Sequence, residues 1–343
     1  MRFIGRITAS RAAAVLACGV AALGLMAQRA PAADKTYVMK LSTATVNDTQ
    51  HEWIKMFVAA VEKDSGGRIK GEIYPASQLG SIPRQIEGVQ FGSIQGWIGP
   101  PEFLVGIDER LELMSAPGLF TSLEQANRVI ADPEVRNMVL SFGAEKGLHC
   151  IDLFAYGPSS VGTRKPVRHL AEFKGLKLRV LASPFQNELV SRMGGTPVAM
   201  TLGDVLPALQ QGAIDGTISA MPVFTTMHYY DAAKYVTDTG QPFIFSVAEI
   251  SKKWFDGLPP DLQKIIADDG AKAGKAIQPW TLNFFANQRK AWTQNGGELI
   301  ELPKDEEAQL IQRVASIGDD MSKTKPGLNK AFKTLAAVVA RMK

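Results

Sequence analysis

The sequence predicts an α/β protein of two lobes, and three observations carry that prediction. Lys174–Ser219 reads as strand, helix, strand, helix, strand, the unit that builds parallel sheets with ligand clefts at their carboxyl edges. VQFGSIQG at Val89–Gly96 and LQQGAIDG at Leu209–Gly216 share Gln, Gly, Ile and Gly at the same offsets. This marks one helix-to-strand turn per lobe, each aiming its strand toward a shared cleft. Beyond its leader the chain has about 311 residues, enough for two cores. No Pro/Ser/Gly-rich linker divides them, so the crossings are expected inside strands or helices.

The elements follow in order. The first 32 residues carry Arg2, Arg6 and Arg11, an apolar run from Ala12 to Ala27, and Ala30-Pro31-Ala32, the pattern of a cleaved secretory signal. A membrane anchor needs a core of about 20 apolar residues, and Arg29 closes this one early. Val15-Leu16-Ala17-Cys18 offers a second reading as a lipoprotein site, but few apolar residues precede the cysteine. Thr36–Ala44 alternates as a first strand. His51–Lys63 is an amphipathic helix with Trp53, Phe57, Val58 and Val61 inward, and Arg68–Pro75 is a second strand.

In KGLKLRVLAS, Leu176, Leu178 and Val180 alternate, while Ser183, Pro184 and Gln186 form a capping box with proline at the first helical position. That helix stops at Gly194-Gly195. A strand over Pro197–Met200 leads to a second box in Thr201 and Asp204, a helix ending at Gly212, and a strand over Ala213–Ser219. Pro259–Asn295 is one long helical segment, interrupted only by Gly270, Gly274 and Pro279. At about 1.5 Å per residue it spans on the order of 50 Å, with Pro279 as the place for a kink.

The KGLKLRV strand and the ALQQGAIDG turn, with YPASQLG at Tyr74–Gly80, IEGVQFGSIQ at Ile86–Gln95 and WFDGLPPDLQKII at Trp254–Ile266, resemble a known family. It is that of the extracytoplasmic solute receptors of tripartite ATP-independent periplasmic (TRAP) transporters, in their dicarboxylate-binding branch. The likeness covers nearly the whole chain after the leader. It implies a two-lobe periplasmic binding protein fold with a long helix spanning both lobes. Lobe I would be 33–156 plus 245–285, and lobe II 157–244 plus 286–343. It also implies a periplasmic location, a carboxylate ligand, a monomer, and the membrane subunits of a TRAP transporter as partners.

Composition narrows the function. The leader takes four of the 38 basic residues and none of the acids, which leaves 34 basic against 34 acidic. The sequence pI of about 8.9 therefore says nothing of nucleic acid or anionic membranes, and no nucleic-acid partner is expected. Only Cys150 remains after the leader, so no internal disulfide forms. His51, His149, His169 and His228 stand far apart. There is no zinc motif, phosphate loop or nucleophile elbow. The expectation is a binding protein, with no cofactor and no metal, and not an enzyme.

Arg179 is the positive signal. A guanidinium at a strand end facing a closing cleft is a rigid fork that matches a carboxylate bidentately, and the resemblance gives it that role. The chain departs from the family at three other positions. Ser159 stands where a second arginine is usual, Ser219 where many members have asparagine, and Pro100 near the place of a first-lobe glutamate. Arg164, Lys165 and Arg168 are candidate replacement cations. Thr45 and Gln241 occupy positions that supply polar contacts in relatives.

Losing these polar partners shifts the expected ligand away from sugar acids and short polar diacids, toward a monocarboxylate with an apolar or aromatic body or a longer diacid. Micromolar affinity needs about 8 kcal/mol, and one arginine fork contributes about 3 to 6 kcal/mol. Burying about 150 to 250 Å² of an apolar tail adds roughly 4 to 6 kcal/mol. Trp97, Phe185, Met221, Phe224, His228 and Phe245 are the candidate walls. Two other readings exist: a periplasmic lyase or dehydratase on the same fold, which would need a proton-shuttling group facing the ligand, and a sensory receptor presenting its ligand to a kinase.

Overall fold

A computed structural model describes residues 35–342; the expected secretory signal and its cleavage site lie outside them. The chain opens with β1 (Tyr37–Ser42) and α1 (Thr49–Asp64), whose cap Asp48 accepts from the His51 amide at 3.0 Å. β2 (Ile69–Tyr74), α2 (Ile82–Phe91) and β3 (Gly96–Gly99) follow. Two turns of 3-10 helix, Pro101–Leu104 and Glu109–Ser115, lead to α3 (Leu123–Ala131) and α4 (Pro133–Leu140). Next come β4 (Leu148–Thr163), β5 (Lys177–Val180), α5 (Pro184–Arg192), β6 (Thr196–Ala199), α6 (Leu202–Gln211) and β7 (Gly216–Ala220). The remainder is α7 (Met221–Thr226), β8 (Tyr235–Asp238), β9 (Phe243–Ser251), α8 (Lys252–Asp256), α9 (Pro260–Gln294), β10 (Glu298–Glu301), α10 (Lys304–Val314), α11 (Ile317–Ser322) and α12 (Pro326–Arg341).

The strands run in the order β2-β1-β3-β9-β4-β7-β5-β6, with β8 joining β4 to β10. β4 links two ladders. From Leu148 to Pro158 it pairs antiparallel with β9; from Ser159 to Thr163 it pairs with β7, and from Val161 with β8. Its register shifts between Cys150 and Asp152 and again between Ala155 and Gly157. Such bulges bend a strand and re-aim its side chains. α9 runs unbroken through Pro279, packing on α1 and β4 in its first half and on α7 in its second. One core gathers Trp53, Phe57, Phe154 and Ile266 between α1, α9 and the first ladder. The other runs from Trp97 and Phe120 through Phe185 to Trp292.

The two echoed turns carry the same structure. Gly92 and Gly212 each close a helix in the left-handed region, at φ 86 and φ 73, where an L side chain would be strained. The next strands then attach identically. The Gln95 amide donates to the Lys40 carbonyl at 3.0 Å, and its side-chain Oε1 accepts from the Lys40 amide at 3.0 Å. Asp215 makes the same two bonds to Lys177, at 2.8 and 2.9 Å. In register, Leu41 pairs with Gly96 and Ser42 with Trp97; Leu178 pairs with Gly216 and Arg179 with Thr217. The repeat read from four shared letters is thus a repeat of backbone geometry.

Candidate functional site

Both repeats deliver their strand ends to one narrow cavity of about 40 Å³. From the first ladder and its helices come Ala44, Thr45, Gln50, Ile82, Trp97, Ile98, Gly99, Pro100, Phe103, Tyr156 and Ile244. From the second come Arg179, Leu181, Leu202, Ser219 and Val223.

Arg179 dominates its electrostatics. It is 1% exposed, and its Nε donates to the Met200 carbonyl at 3.0 Å. Among the described residues it has no ion-pair partner, and burial pulls its pKa down from the usual guanidinium value. A buried cation of this kind costs stability unless an anion meets it. β5 places it: Arg179 stands opposite Thr217 in β7, so it shares a sheet face with Thr217 and Ser219. Beyond β5, Ser183 caps α5 by accepting from the Gln186 amide at 3.2 Å. The Gln186 side chain turns to the Leu181 amide at 3.0 Å, where the sequence reading expected a reciprocal bond to Ser183. Glu112 completes the cap from the 109–115 turn. Its Oε1 accepts from Ser183 Oγ at 3.1 Å and from the Phe185 amide at 2.5 Å.

Trp97 forms the apolar wall, 1% exposed, with its ring lying along β3 over Gly99. A Cβ on residue 99 would sit 2.3 Å from the Trp97 ring, so only glycine leaves the slot open. Beside it, Thr43 and Thr45 hydroxyls donate to Gln50 Oε1 at 2.8 and 3.0 Å, and Gln50 Nε2 donates to Ser246 Oγ at 3.0 Å. Tyr156 donates to Asp48 at 2.7 Å.

Thr45, Trp97, Arg179 and Ser219, of the residues singled out from the sequence, meet at this cavity. The others lie elsewhere, each for a local reason. Ser159 pairs with Ala220 while Ser160 pairs with Ser219, so Ser159 is on the sheet face away from Arg179. Phe185 is buried at the start of α5. Met221 and Phe224 are core residues of α7, with the Phe224 ring 6.0 Å from Trp292. Phe245 packs 4.9 Å from Phe120. Gln241 is a backbone clasp: its Oε1 accepts from the Gly118 amide at 2.9 Å and its Nε2 donates to the Phe120 carbonyl at 3.1 Å. His228 is exposed, in the left-handed region at φ 56, with Nδ1 2.5 Å from Tyr230 Oη. Arg164 and Lys165 line a separate surface hollow with Glu172 and Asp215, and Arg168 pairs with Glu298 at 2.6 Å. None of the three meets Arg179.

Sequence reasoning did not single out Gln50, Tyr156, Leu181 or Ile244. Gln50 had one available signal, its place in the first turn after the cap Asp48. Tyr229, also missed, is buried near Arg179 with no partner for its hydroxyl; burial pushes it to about 12. Among the described residues, no group of His, Cys, Asp and Glu converges as metal ligands would.

The model of a family described as "Bacterial extracellular solute-binding protein, family 7" matches residues 41–325. The C4-dicarboxylate-binding periplasmic protein DctP of Rhodobacter capsulatus is 26% identical over 333 residues, 94% of this chain and 96% of its own. The 2,3-diketo-L-gulonate-binding periplasmic protein YiaO of Escherichia coli is 26% identical over 265 residues, 77% of each chain. Among solved structures, a TRAP periplasmic solute binding protein from Desulfovibrio salexigens with bound orotic acid superposes with a TM-score of 0.85 at 20% identity, covering 90% of this chain and all of its own. One from Shewanella oneidensis with bound succinate gives 0.82 at 18%, covering 89% and 99%. These likenesses show the two-lobe α/β fold.

Proposed function

We propose that this chain, which belongs to the bacterial extracellular solute-binding proteins of family 7, captures an organic acid anion by closing its two lobes over Arg179 and hands it to the membrane subunits of a TRAP transporter. Membership makes it a binding receptor and not an enzyme. One observation carries the carboxylate reading: a 1% exposed arginine, facing a mostly apolar cavity, has no carboxylate among the described residues to neutralise it. A ligand carboxylate supplies the missing charge, and closure strengthens the pair by excluding water.

The ligand is a monocarboxylate with an aromatic or aliphatic body. Arg179 is the one cation on the described wall, while Trp97, Ile98, Phe103, Leu181 and Val223 supply apolar surface. Thr45 and Ser219 add hydroxyls. The Desulfovibrio protein binds orotic acid, a ring bearing one carboxylate; the bound succinate, galacturonate, glucuronate and L-gulonate of other neighbours keep diacids and sugar acids as competing classes. Lobe I is read as 33–156 plus 245–285 and lobe II as 157–244 plus 286–343, supported by the change of partner along β4 after Pro158. α12 is better assigned to lobe I, since it packs on α4 and the 109–115 turn, with Arg341 to Glu134 at 3.2 Å. A periplasmic location is supported by the family and by the expected leader.

The test is calorimetric titration of Arg179→Ala beside the wild type with aromatic and aliphatic acids. Loss of tight binding with unchanged circular dichroism is expected. Retained affinity would remove the carboxylate anchor.

A further inference from the structure

Resting on that reading, we infer that Gln50 is a specificity-determining residue that reads a hydrogen-bond acceptor, such as a carbonyl oxygen, at the end of the ligand opposite its carboxylate. The geometry is a buried amide with one hydrogen left over. Gln50 is 2% exposed and lines the cavity from the first turn of α1. Both lone pairs of its Oε1 are taken, by Thr43 Oγ1 at 2.8 Å and Thr45 Oγ1 at 3.0 Å. One Nε2 hydrogen goes to Ser246 Oγ at 3.0 Å. All three partners are themselves buried. An amide nitrogen carries two hydrogens, so the second has no acceptor among the described residues.

In this arrangement the amide oxygen accepts from both threonine hydroxyls and the nitrogen donates to Ser246, which leaves one hydrogen over. Arg179 enters the same cavity from β5 of the second ladder and Gln50 from a helix packed on the first. A ligand whose carboxylate occupies Arg179 therefore turns its other end to Gln50. A buried donor left unmatched is disfavoured, and a site built to make such a bond rejects the isostere lacking it. The ligand class sharpens from an acid with an apolar body to an apolar acid tipped with one acceptor oxygen.

The test uses near-isosteric probes that differ in that oxygen: 4-acetylbenzoate against 4-isopropylbenzoate, and 5-oxohexanoate against 5-methylhexanoate. Calorimetry on the wild type should show the ketone acid of at least one pair binding about 10- to 100-fold tighter. In Gln50→Met that preference should vanish while the isopropyl or methyl acid still binds, which also reports an intact fold. Equal affinities within both pairs in the wild type would overturn the Gln50 assignment and need no variant. So would a ketone preference that survives in Gln50→Met. The amide of each tighter acid is titrated as well. If amides bind as well as acids, or if no probe acid binds, the carboxylate reading itself falls and this inference with it.

Discussion

The two repeats can be laid on one another residue for residue, and what differs is where each puts its bulk. In the first, the inner strand gives a small Ser42 and the following strand a large Trp97, with Gly99 cleared to receive the ring. In the second, the inner strand gives the large Arg179 and the following strand the small Thr217 and Ser219. The helix ends, the left-handed glycines and the side-chain clasps onto Lys40 and Lys177 are shared. Identical backbone scaffolds therefore face each other with an apolar ring on one side and a cation on the other. On the proposed reading, the scaffold sets where a ligand goes and the exchange of bulk sets which end of it faces which lobe.

Breaking the cationic side has the largest expected effect. Arg179→Met should weaken acid binding by a hundredfold or more, about 3 kcal/mol, and it should also raise the melting temperature of the ligand-free protein. The guanidinium is buried with no counter-ion among the described residues, so an apolar replacement of similar length relieves desolvation. Scanning calorimetry checks this, and a lowered melting temperature would show that Arg179 is structural. On the apolar side, Gly99→Ala should cost about 1 to 3 kcal/mol of stability by driving a Cβ into the Trp97 ring. It should weaken ligand binding as well, whereas Ser219→Gly at the matching offset should leave Arg179-dependent binding measurable.

The buried carboxyls give a pH signature that belongs mainly to the first ladder. Glu249 is buried, and desolvation outweighs its hydrogen bond with Cys150 and pushes it to about 8. Burial likewise holds Glu102 at about 7 and Asp152 at about 6. Groups raised in this way bind protons more tightly folded than unfolded, so stability is highest in mild acid and falls as pH rises toward 8. Glu249→Gln should flatten that fall and add on the order of 2 kcal/mol at pH 8, read by denaturant melts across pH 5 to 9. A slope unchanged by the substitution would remove Glu249 from the account. Smallest of all, Gly92→Ala and Gly212→Ala should each cost about 1 to 2 kcal/mol, and by similar amounts. A neutral result at either one would break the equivalence of the turns.

Much of this was legible in the sequence, because local rules govern it. The alternation of Leu176, Leu178 and Val180, the cap at Ser183 and the glycine at 212 placed β5 through β7 within a few residues, and with them Arg179 and Ser219. The long helix came from Pro259 and its apolar spacing. Face assignments along β4 were not legible, since the bulge between Ala155 and Gly157 shifts the register, and Ser159 turned away from Arg179. Nor does composition tell which aromatic lines a cavity. Phe185, Phe224 and Phe245 fill the core, whereas Trp97 reaches the site because a glycine two residues on makes room. Gln50 escaped because its meaning depends on Ser246, nearly 200 residues away in sequence.

The central claim is that a ligand carboxylate completes Arg179. The most direct measurement is a thermal-shift titration of the mature protein, residues 33–343, with aromatic and aliphatic monocarboxylic acids, each beside its uncharged amide. The account predicts that a binding acid raises the melting temperature by about 5 °C at a hundredfold excess over Kd, while its amide leaves it unchanged. An amide that stabilises the protein as well as its acid would contradict it.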